Sequence, residues 1–365
     1  MKILVIVNTH FGYDGISNVA TNYYVYQDHS KVKMDLVTIN EVPQQLENEI
    51  IKNGDSHYIM SQRNKNPFNY IFSLVKLIRK KQYDVVHIHG NSNTMCIELL
   101  AAALGKCKTR IAHSHNTKCD HPLINKLLSP IFKLTYTDGF ACGIEAGEWL
   151  FNKGEATIIA NGVDLKRFTL DAQYRKYYKK ELGVENRIVI GHVGRFSNQK
   201  NHERLIDIFA EVIKLNPNVT LLMWGEGELL DHIKNKAQSI NGDIRFMGTS
   251  NEIEKCLHAV DIIVFPSLYE GLPLFLIEAQ ALGLPCLLSD NVSPYTKITN
   301  FVYYKSLTDS SKDWAKEALN IVSKSDVEKN AMVAHEFIRN AGYDIRIKAK
   351  ELLHKYQQLI RKNNG

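Results

Sequence analysis

The chain has 365 residues, more than twice the usual single-domain length of about 150, which predicts two domains that each bury their own core. Hydrophobic residues make up 44% and charged residues 23%, and this ordinary composition excludes disordered, collagen-like and disulfide-scaffold classes. The 45 Lys and Arg against 39 Asp and Glu leave a formal charge of +6, which suits anionic small molecules or an anionic membrane surface.

Nothing in the sequence has the length of a membrane span or of a signal-peptide core. The first apolar run, residues 3–7, has five residues, whereas a span needs about 18 or more. The six cysteines form no C-x-x-C pair, which is typical of core residues in a reducing compartment. The stretch YRKYYKK at 174–180 is interpreted as a solvated helix, so no nucleic acid partner is predicted. We therefore expect a cytoplasmic protein.

Apolar runs typical of strands alternate with amphipathic helical runs along the chain. The first series comprises strands at 3–7, 34–39, 84–88 and 110–112 and helices at 17–26, 67–81 and 95–104. The second comprises strands at 187–191, 220–224, 244–247, 262–265 and 285–289 and helices at 203–215, 229–240, 251–258 and 273–283. Such alternation predicts an α/β protein with two Rossmann-like, doubly wound parallel sheets.

The domain limits are predicted from where this alternation pauses. An N-terminal domain is predicted over 1–165 and a C-terminal domain over 166–345, with the connection inside the charged and aromatic stretch 161–183. A terminal amphipathic helix over about 346–365 is predicted to join the first domain. Because ligands bind beyond the carboxyl ends of parallel strands, we expect the two domains to face each other across a cleft.

Two strand-to-helix loops of the second domain carry residues suited to a nucleotide. Arg195 and Lys200 lie on one loop, where two cations beside helix-terminal N–H groups could hold a diphosphate, although surface loops often carry such residues. Glu270 lies on the other loop, and Gly271 permits close backbone approach to a ligand. Glu278 follows inside an apolar helix, where an unpaired carboxylate is costly and the two hydroxyls of a ribose would satisfy it.

These motifs form an ordered set. The set reads GRF and QKN within 194–201, GEG at 225–227, EGLPLFLIE at 270–278 and ALGLP at 281–285. It resembles the retaining GT-B glycosyltransferases of family 4, over roughly residues 188–290 and more weakly through the N-terminal half. The resemblance implies a GT-B fold and a hexosyltransferase that uses a nucleoside diphosphate sugar in capsular polysaccharide or exopolysaccharide biosynthesis.

The resemblance also implies a role for each matching residue. Arg195 and Lys200 would neutralise the donor diphosphate, and Glu278 would bind the nucleotide ribose. Glu270 and His115, the last residue of RIAHSH, are the catalytic candidates beside the donor sugar. Backbone contacts to the diphosphate and the sugar are assigned to Gly15, Gly271, Leu272, Pro273 and Leu274.

The sequence departs from the family pattern in two loops. Family members usually have Gly-Gly in the first N-terminal loop, whereas Asp14 precedes Gly15 here and would repel a phosphate unless it points away. Many members have a Gly-rich turn and a further Glu after residue 290, whereas this chain reads NVSPY at 291–295. The sequence does not decide whether these two loops contact the donor.

Two H-x-H pairs, His87 with His89 and His113 with His115, follow two predicted strands. Alternate residues share one face of a strand, so each pair could chelate zinc if the strands were neighbours, or could serve as core and polar-contact residues. We favour the second reading and expect His89 to line the acceptor side. No Asp-x-Asp motif occurs in the sequence, so we expect no metal and no other cofactor.

The expected reaction is front-face transfer with retention, in which the departing phosphate is stabilised by cations and amides. The alternatives are a non-hydrolysing nucleotide-sugar epimerase and a catalytically silent partner of a transferase. UDP-sugars are the expected donors and GDP-mannose is the rival, while the acceptor is a glycan or a polyprenyl-linked glycan. Residues 64–81 form either a membrane-contact helix, giving peripheral association at the inner face of the cytoplasmic membrane, or a packed helix with a solvated basic end, and the second reading is favoured.

Overall fold

A computed structural model describes residues 1–12, 15–117, 119 and 121–364. These residues divide into two compact units. The first unit runs from Met1 to Gly162 and resumes at Gly342, and the second runs from Val163 to Ala341. The limits predicted from the sequence, 165 and 345, lie a few residues beyond the ends of these segments.

The first unit is built on one parallel sheet. Its strands are β1 (Lys2–Val7), β2 (Lys33–Thr38), β3 (His57–Ile59), β4 (Val85–Gly90), β5 (Thr109–Ser114), β6 (Asp138–Ala141) and β7 (Ala156–Ile158). In the described part of the chain their order is β3-β2-β1-β4-β5-β6-β7, and every neighbouring pair is parallel. The strand order reverses between β1 and β4, and in such sheets the crevice beyond the carboxyl ends at that point binds ligands.

The second unit repeats this design. Its strands are β8 (Ile188–Val193), β9 (Val219–Trp224), β10 (Asp243–Phe246), β11 (Ile262–Phe265), β12 (Cys286–Ser289) and β13 (Val302–Lys305). They form a parallel sheet in the order β10-β9-β8-β11-β12-β13. The order reverses between β8 and β11, so the loops that follow these two strands leave the sheet side by side.

Helices connect the strands in both units. In chain order they are α1 (Gly15–Val25), α2 (Gln44–Lys52), α3 (Pro67–Lys81), α4 (Cys96–Leu104), α5 (Pro122–Thr135), α6 (Ile144–Leu150), α7 (Ala172–Glu181), α8 (His202–Leu215), α9 (Leu230–Ala237), α10 (Ile253–Cys256), α11 (Leu274–Ala281), α12 (Ser311–Lys324), α13 (Val327–Asn340) and α14 (Ile345–Asn364). Helices α1 to α6 and α14 belong to the first unit and α7 to α13 to the second. In the first unit α4 packs between α3 and α5.

Burial explains why the strands form where they do. Residues 3–7 of β1 are at most 5% exposed, as expected for a central parallel strand covered on both faces. Helix α3 begins where the side chain of Asn66 accepts a hydrogen bond from the amide of Asn69, with Pro67 at its first position. Its inner face buries Tyr70, Leu74 and Ile78 at helical spacing.

The predicted architecture of two doubly wound parallel sheets is confirmed, and the predicted helix 67–81 and strand 262–265 coincide with α3 and β11. The stretch YRKYYKK is a helix as predicted, and α7 has no fully buried residue, but it is solvated on one side only, since Arg175 and Lys179 form ion pairs with Asp261. Helices α2, α5, α6, α12 and α13 were not predicted. None of the described helices combines the length and the apolar character that crossing a bilayer requires.

Candidate active site

The loops after β8 and β11 are joined by hydrogen bonds in the second unit. The amide of Leu268 donates to the Gln199 carbonyl at 2.8 Å. The Asn201 side chain donates to the Pro266 carbonyl at 3.0 Å. The loop that carries GRF and QKN, after β8, and the loop that leads to EGLP, after β11, are therefore packed together. About 70 residues separate them in the sequence.

Lys200 and Glu270 form an ion pair at this junction. Lys200 Nζ lies 2.5 Å from Glu270 Oε1, and the two side chains are only 17% and 8% exposed. The ammonium group also lies 4.8 Å from the centre of the Phe265 ring. An ammonium group has three N–H donors, so the pair leaves Lys200 with donors for an anionic ligand.

The main chain of Glu270 is held by the loop after β12. Its amide faces the Asn291 carbonyl at 3.4 Å, and its own carbonyl accepts from the Ser293 amide at 3.0 Å. The loop at 291–295, which departs from the family pattern, thus positions Glu270 through backbone groups that do not depend on its side chains.

The backbone beside Glu270 presents unused donors. Helix α11 begins at Leu274, and Pro273 precedes it without a capping side chain. No described group accepts from the amides of Gly271, Leu272, Leu274 or Phe275. Gly271 is exposed, and a Cβ there would have no atom within 4 Å, so the residue borders open space. Free amides at a helix N-terminus attract anions.

Glu278 lies on α11 between fully buried neighbours, with its own side chain partly buried. Burial raises its pKa to about 7, although the positive charge of Arg167 acts in the opposite direction. Arg167 is itself paired with Glu254 at 2.7 Å. Within the described residues the Glu278 carboxylate has no hydrogen-bond partner, as expected of a carboxylate that is free to bind the hydroxyls of a ribose.

Arg195 differs from Lys200 in its surroundings. Its Nε atom lies 3.1 Å from Glu228 Oε2, and the two side chains are 74% and 56% exposed. An ion pair this exposed holds its partners weakly. Arg195 can therefore leave Glu228 for a stronger anion at little cost.

The GEG motif has a packing role behind the GRF loop. Gly225 has φ +138°, and a Cβ there would lie 2.1 Å from the Gly194 carbonyl oxygen. A Cβ at Gly227 would lie 2.4 Å from the Phe196 carbonyl oxygen. Only glycine permits this approach, so the motif shapes the loop that carries Arg195.

In the first unit, the four histidines of the two H-x-H pairs form one block on β4, β5 and the residue that follows β5. His87 Nε2 and His113 Nδ1 share a hydrogen bond at 3.1 Å, and His89 Nδ1 and His115 Nε2 share one at 2.9 Å. The two hydrogen-bonded pairs pack against each other at a tilt, with ring centres 4.3 Å apart and ring planes 31° apart for His87 and His89. The Tyr356 hydroxyl of α14 contacts His87 Nδ1 at 2.6 Å.

Burial keeps these rings neutral. It lowers the pKa of His89 to about 3 and the pKa values of His87, His113 and His115 well below the usual range. His115 Nδ1 is buried without a partner among the described residues. His115 is therefore an uncharged ring whose Nε2 is engaged by His89.

The strands of the two H-x-H pairs are neighbours, which was the condition for a zinc site. Possible ligand atoms of His87, His89 and His113 lie within 4.8 Å of one another. An ion here would replace the hydrogen bond between His87 and His113. Glu98, a buried carboxylate of the same unit, is already paired with the buried Arg63 at 2.6 Å. The expectation that no metal binds stays a prediction.

The remaining predicted residue of the first unit, Gly15, opens α1 after β1. A Cβ at Gly15 would have no atom within 4 Å, so its backbone is accessible. The prediction about Asp14 falls outside the described residues. His115 and Glu270 belong to different units, and their joint action on one donor sugar stays a prediction.

Sequence comparisons match both halves of the chain to glycosyltransferase families. The family described as glycosyl transferases group 1 matches residues 174–341, and the family glycosyl transferase 4-like matches 17–140. The "Putative glycosyltransferase EpsF" of Bacillus subtilis is 30% identical over 96% of this chain and 95% of its own length. The chain belongs to the group 1 glycosyl transferases.

Two further similarities extend this assignment. The Escherichia coli enzyme named UDP-Gal:alpha-D-GlcNAc-diphosphoundecaprenol alpha-1,3-galactosyltransferase is 32% identical over 60% of this chain and 61% of its own length. The crystal structure of Anabaena HepE in complex with UDP matches with a TM-score of 0.78 and 15% identity, over 98% of this chain and all of that one. The predicted GT-B fold and the predicted glycosyltransferase class are confirmed.

Sequence reasoning missed several groups that shape the site of this glycosyltransferase. Arg167 and Glu254 set the charge around Glu278, and Asn291 and Ser293 hold Glu270. The one available signal for Arg167 was its charge within the stretch 161–183, in which the connection between the domains was predicted. The roles of Asn291 and Ser293 rest on backbone groups and leave no sequence signal.

Proposed function

We propose that this glycosyltransferase moves a hexosyl unit from a UDP-sugar to a hydroxyl group of a lipid-linked glycan, with retention at the anomeric carbon, in polysaccharide biosynthesis. The observation that carries the proposal is the grouping after β8 and β11 of the Lys200–Glu270 pair, the unused amides before α11 and the unpartnered Glu278. This grouping offers cations and amides for a diphosphate and a carboxylate for a ribose.

The comparisons support the choice of donor and acceptor. The E. coli relative carries UDP-Gal and a diphosphoundecaprenol acceptor in its name, and HepE has been crystallised with UDP-glucose as well as UDP. The Staphylococcus aureus relative CapH, 29% identical over 70% of this chain, is named for capsular polysaccharide biosynthesis. These are properties of the relatives, and for this chain they favour a UDP-sugar over GDP-mannose.

The proposed mechanism places most of the catalysis on the leaving group. The bond between the anomeric carbon and the β-phosphate oxygen breaks as the acceptor oxygen bonds to the same face of that carbon. The phosphate takes the acceptor's proton. Arg195, Lys200 and the free N–H groups of Gly271, Leu272, Leu274 and Phe275 stabilise the charge that develops on the phosphate.

His115 and Glu270 have orienting roles in this mechanism. The neutral His115 ring, fixed by His89, has Nδ1 left for a sugar hydroxyl. Glu270, fixed by Lys200, would accept from another hydroxyl of the donor. His89 would lie toward the acceptor. No covalent nucleophile and no metal is required, and the two alternatives, an epimerase and a silent partner, are not favoured by the comparisons.

A transfer assay with radiolabelled UDP-glucose, UDP-galactose, UDP-N-acetylglucosamine and GDP-mannose tests the proposal, with polyprenyl diphosphate-linked sugars as acceptors. We expect transfer from one UDP-sugar, unchanged by EDTA, and an anomeric configuration in the product equal to that of the donor. Transfer from GDP-mannose alone, inversion, or a strict need for a divalent ion would each contradict the corresponding part of the proposal.

A further inference from the structure

Helix α5 of the first unit exposes an unusual amount of apolar surface. Leu123, Leu127 and Leu134 are 85%, 77% and 84% exposed, and they share one face at positions i, i+4 and i+11. Ile124 and Ile131 add to it, whereas burial in this helix is confined to Phe132 and Thr135. A helix that only packs against the sheet would bury most of its leucine side chains against it.

Helix α3, which packs on α4 as α5 does, also exposes apolar side chains. Its outer face carries Phe68, Phe72, Lys76 and Lys80, each four residues after the last. Phe68 and Phe72 are 84% and 69% exposed, although the opposite face of the same helix is packed into the core. The favoured reading of residues 64–81, a packed helix with a solvated basic end, agrees with the buried inner face and the exposed Arg79 and Lys80.

The positive charge of the chain is concentrated in the sequence segment that contains these two helices. Residues 61–138 hold 12 Lys and Arg and 4 Asp and Glu, a formal charge of +8, whereas the whole chain carries +6. The rest of the chain is therefore at −2. Neither α3 nor α5 contains an acidic residue. Among the described residues none forms an ion pair with Lys76, Lys80, Lys126 or Lys133.

We infer that the outer faces of α3 and α5 form a docking surface for an anionic lipid bilayer. The leucine and phenylalanine side chains would enter the boundary between head groups and acyl chains, and the lysines would face the lipid phosphates. The inference rests on the proposed function in one respect, since a lipid-linked acceptor lies at a membrane surface. The exposure and charge that support it are independent of that function.

Charge decides between a bilayer and a second copy of the chain. If two copies paired through this surface, their lysines would be brought together, and like charges oppose such pairing. An anionic bilayer neutralises them instead. A nucleic acid would also neutralise the charge, but it would leave the exposed leucines in water.

The test is flotation of the full-length protein with vesicles of phosphatidylcholine alone or mixed equally with phosphatidylglycerol. The wild-type protein should bind the mixed vesicles at least about tenfold more strongly, and salt should weaken binding. Leu123→Gln with Leu127→Gln should lose most of this binding. Ile51→Gln with Met332→Gln, which alters exposed apolar residues elsewhere, is the matched control and should bind as the wild type does.

A second pair of variants tests the charges. Lys126→Glu with Lys133→Glu should lower binding, whereas Lys312→Glu with Lys316→Glu, an equal charge change on α12, should not. UDP-dependent thermal stabilisation of every variant shows that the fold and the donor site are intact. A wild-type protein that floats without responding to UDP would contradict the proposed function and leave this inference standing.

Two results would overturn the inference. One is equal flotation of the Leu123/Leu127 variant and its control. The other is a wild-type protein that does not float but forms a dimer in sedimentation velocity, with the dimer lost when Leu123 and Leu127 are replaced. That second result would assign the surface to another copy of the chain.

Discussion

Glu270 is held from two directions, by the Lys200 ammonium group 2.5 Å from its carboxylate and by backbone groups of residues 291–293. The ion pair joins loops that follow β8 and β11, where the strand order of the second sheet reverses. Its two side chains are mostly buried, so removing one of them leaves the other without its partner in a poorly solvated place.

Replacing either Lys200 or Glu270 should destabilise the fold. Lys200→Met leaves the Glu270 carboxylate without its partner and should lower the free energy of unfolding by about 1–3 kcal/mol, since the site is not fully closed to water. The double variant, Lys200→Met with Glu270→Gln, should lose less free energy of unfolding than the two single variants lose together, and the difference should be about 1 kcal/mol or more. Urea unfolding of the four proteins measures this coupling, and strictly additive effects would show that the pair does not stabilise the fold.

Arg195 should behave differently from Lys200. Because its pair with Glu228 is largely exposed, Arg195→Ala should leave the melting temperature unchanged while it weakens the response to UDP and lowers kcat/KM. Glu228→Gln is the matched control, since it removes the same pair without removing the cation, and it should preserve UDP binding. An Arg195→Ala protein that binds UDP as the wild type does would remove Arg195 from the donor site.

The charge of Glu278 predicts a pH dependence of nucleotide binding. Its pKa of about 7 means that the carboxylate form, the better acceptor for ribose hydroxyls, gains population as the pH rises from 6 to 8. UDP should therefore bind more tightly toward pH 8. Glu278→Gln should weaken binding and remove this part of the dependence in isothermal calorimetry, because Gln does not titrate. An unchanged pH profile in the variant would show that another group is responsible.

Buried histidines should make the protein sensitive to acid. Burial lowers the pKa of His202 to about 2, while the unfolded chain keeps an ordinary value near 6.5. Below pH 6.5 the unfolded state binds one more proton at this residue, so stability falls as the pH falls, by up to about 1.4 kcal/mol per pH unit. Above pH 6.5 both states are neutral there and the effect vanishes.

His202→Phe tests this effect, since the ring stacks on Phe196 at 4.1 Å and neither ring nitrogen has a partner among the described residues. The variant should lose less stability between pH 7.5 and 5.5 than the wild type in urea titrations. Replacement of the exposed His354 by Gln should not change how steeply the free energy of unfolding falls with pH. If the pH dependence of the free energy of unfolding is the same in His202→Phe and the wild type, residues other than His202 cause the acid sensitivity.

The sequence predicted the parts of this molecule in which local pattern and burial agree. Strands β1 and β11 are unbroken apolar runs, and α3 has one apolar stripe with an Asn cap. Helix α5 contains Pro130, which disfavours a helix in a sequence-based prediction, although its apolar side chains cover one wide face opposite Asn125, Lys126, Ser129 and Lys133. Its leucines face outward, and a sequence pattern alone does not distinguish them from core residues.

The sequence likewise predicted only part of the candidate site. The motifs predicted that Lys200, Glu270 and Glu278 belong to one ligand site, because strand-to-helix loops gather at one edge of a parallel sheet. They did not predict that Lys200 pairs with Glu270, or that Arg167 and Glu254 lie near Glu278, because such contacts depend on how separate loops pack. The H-x-H pairs show the converse, since adjacency of β4 and β5 turned two local motifs into one hydrogen-bonded block.

The most direct measurement is thermal unfolding of the wild-type protein and Glu278→Gln with UDP, GDP, ADP, dTDP and NAD. UDP at about 100 times its Kd should stabilise the wild type by roughly 2.7 kcal/mol, and the variant should respond much less. That result would confirm the donor site and identify its base. If no nucleotide at millimolar concentration shifts the wild-type transition, or if Glu278→Gln responds as the wild type does, the donor site assigned here is wrong.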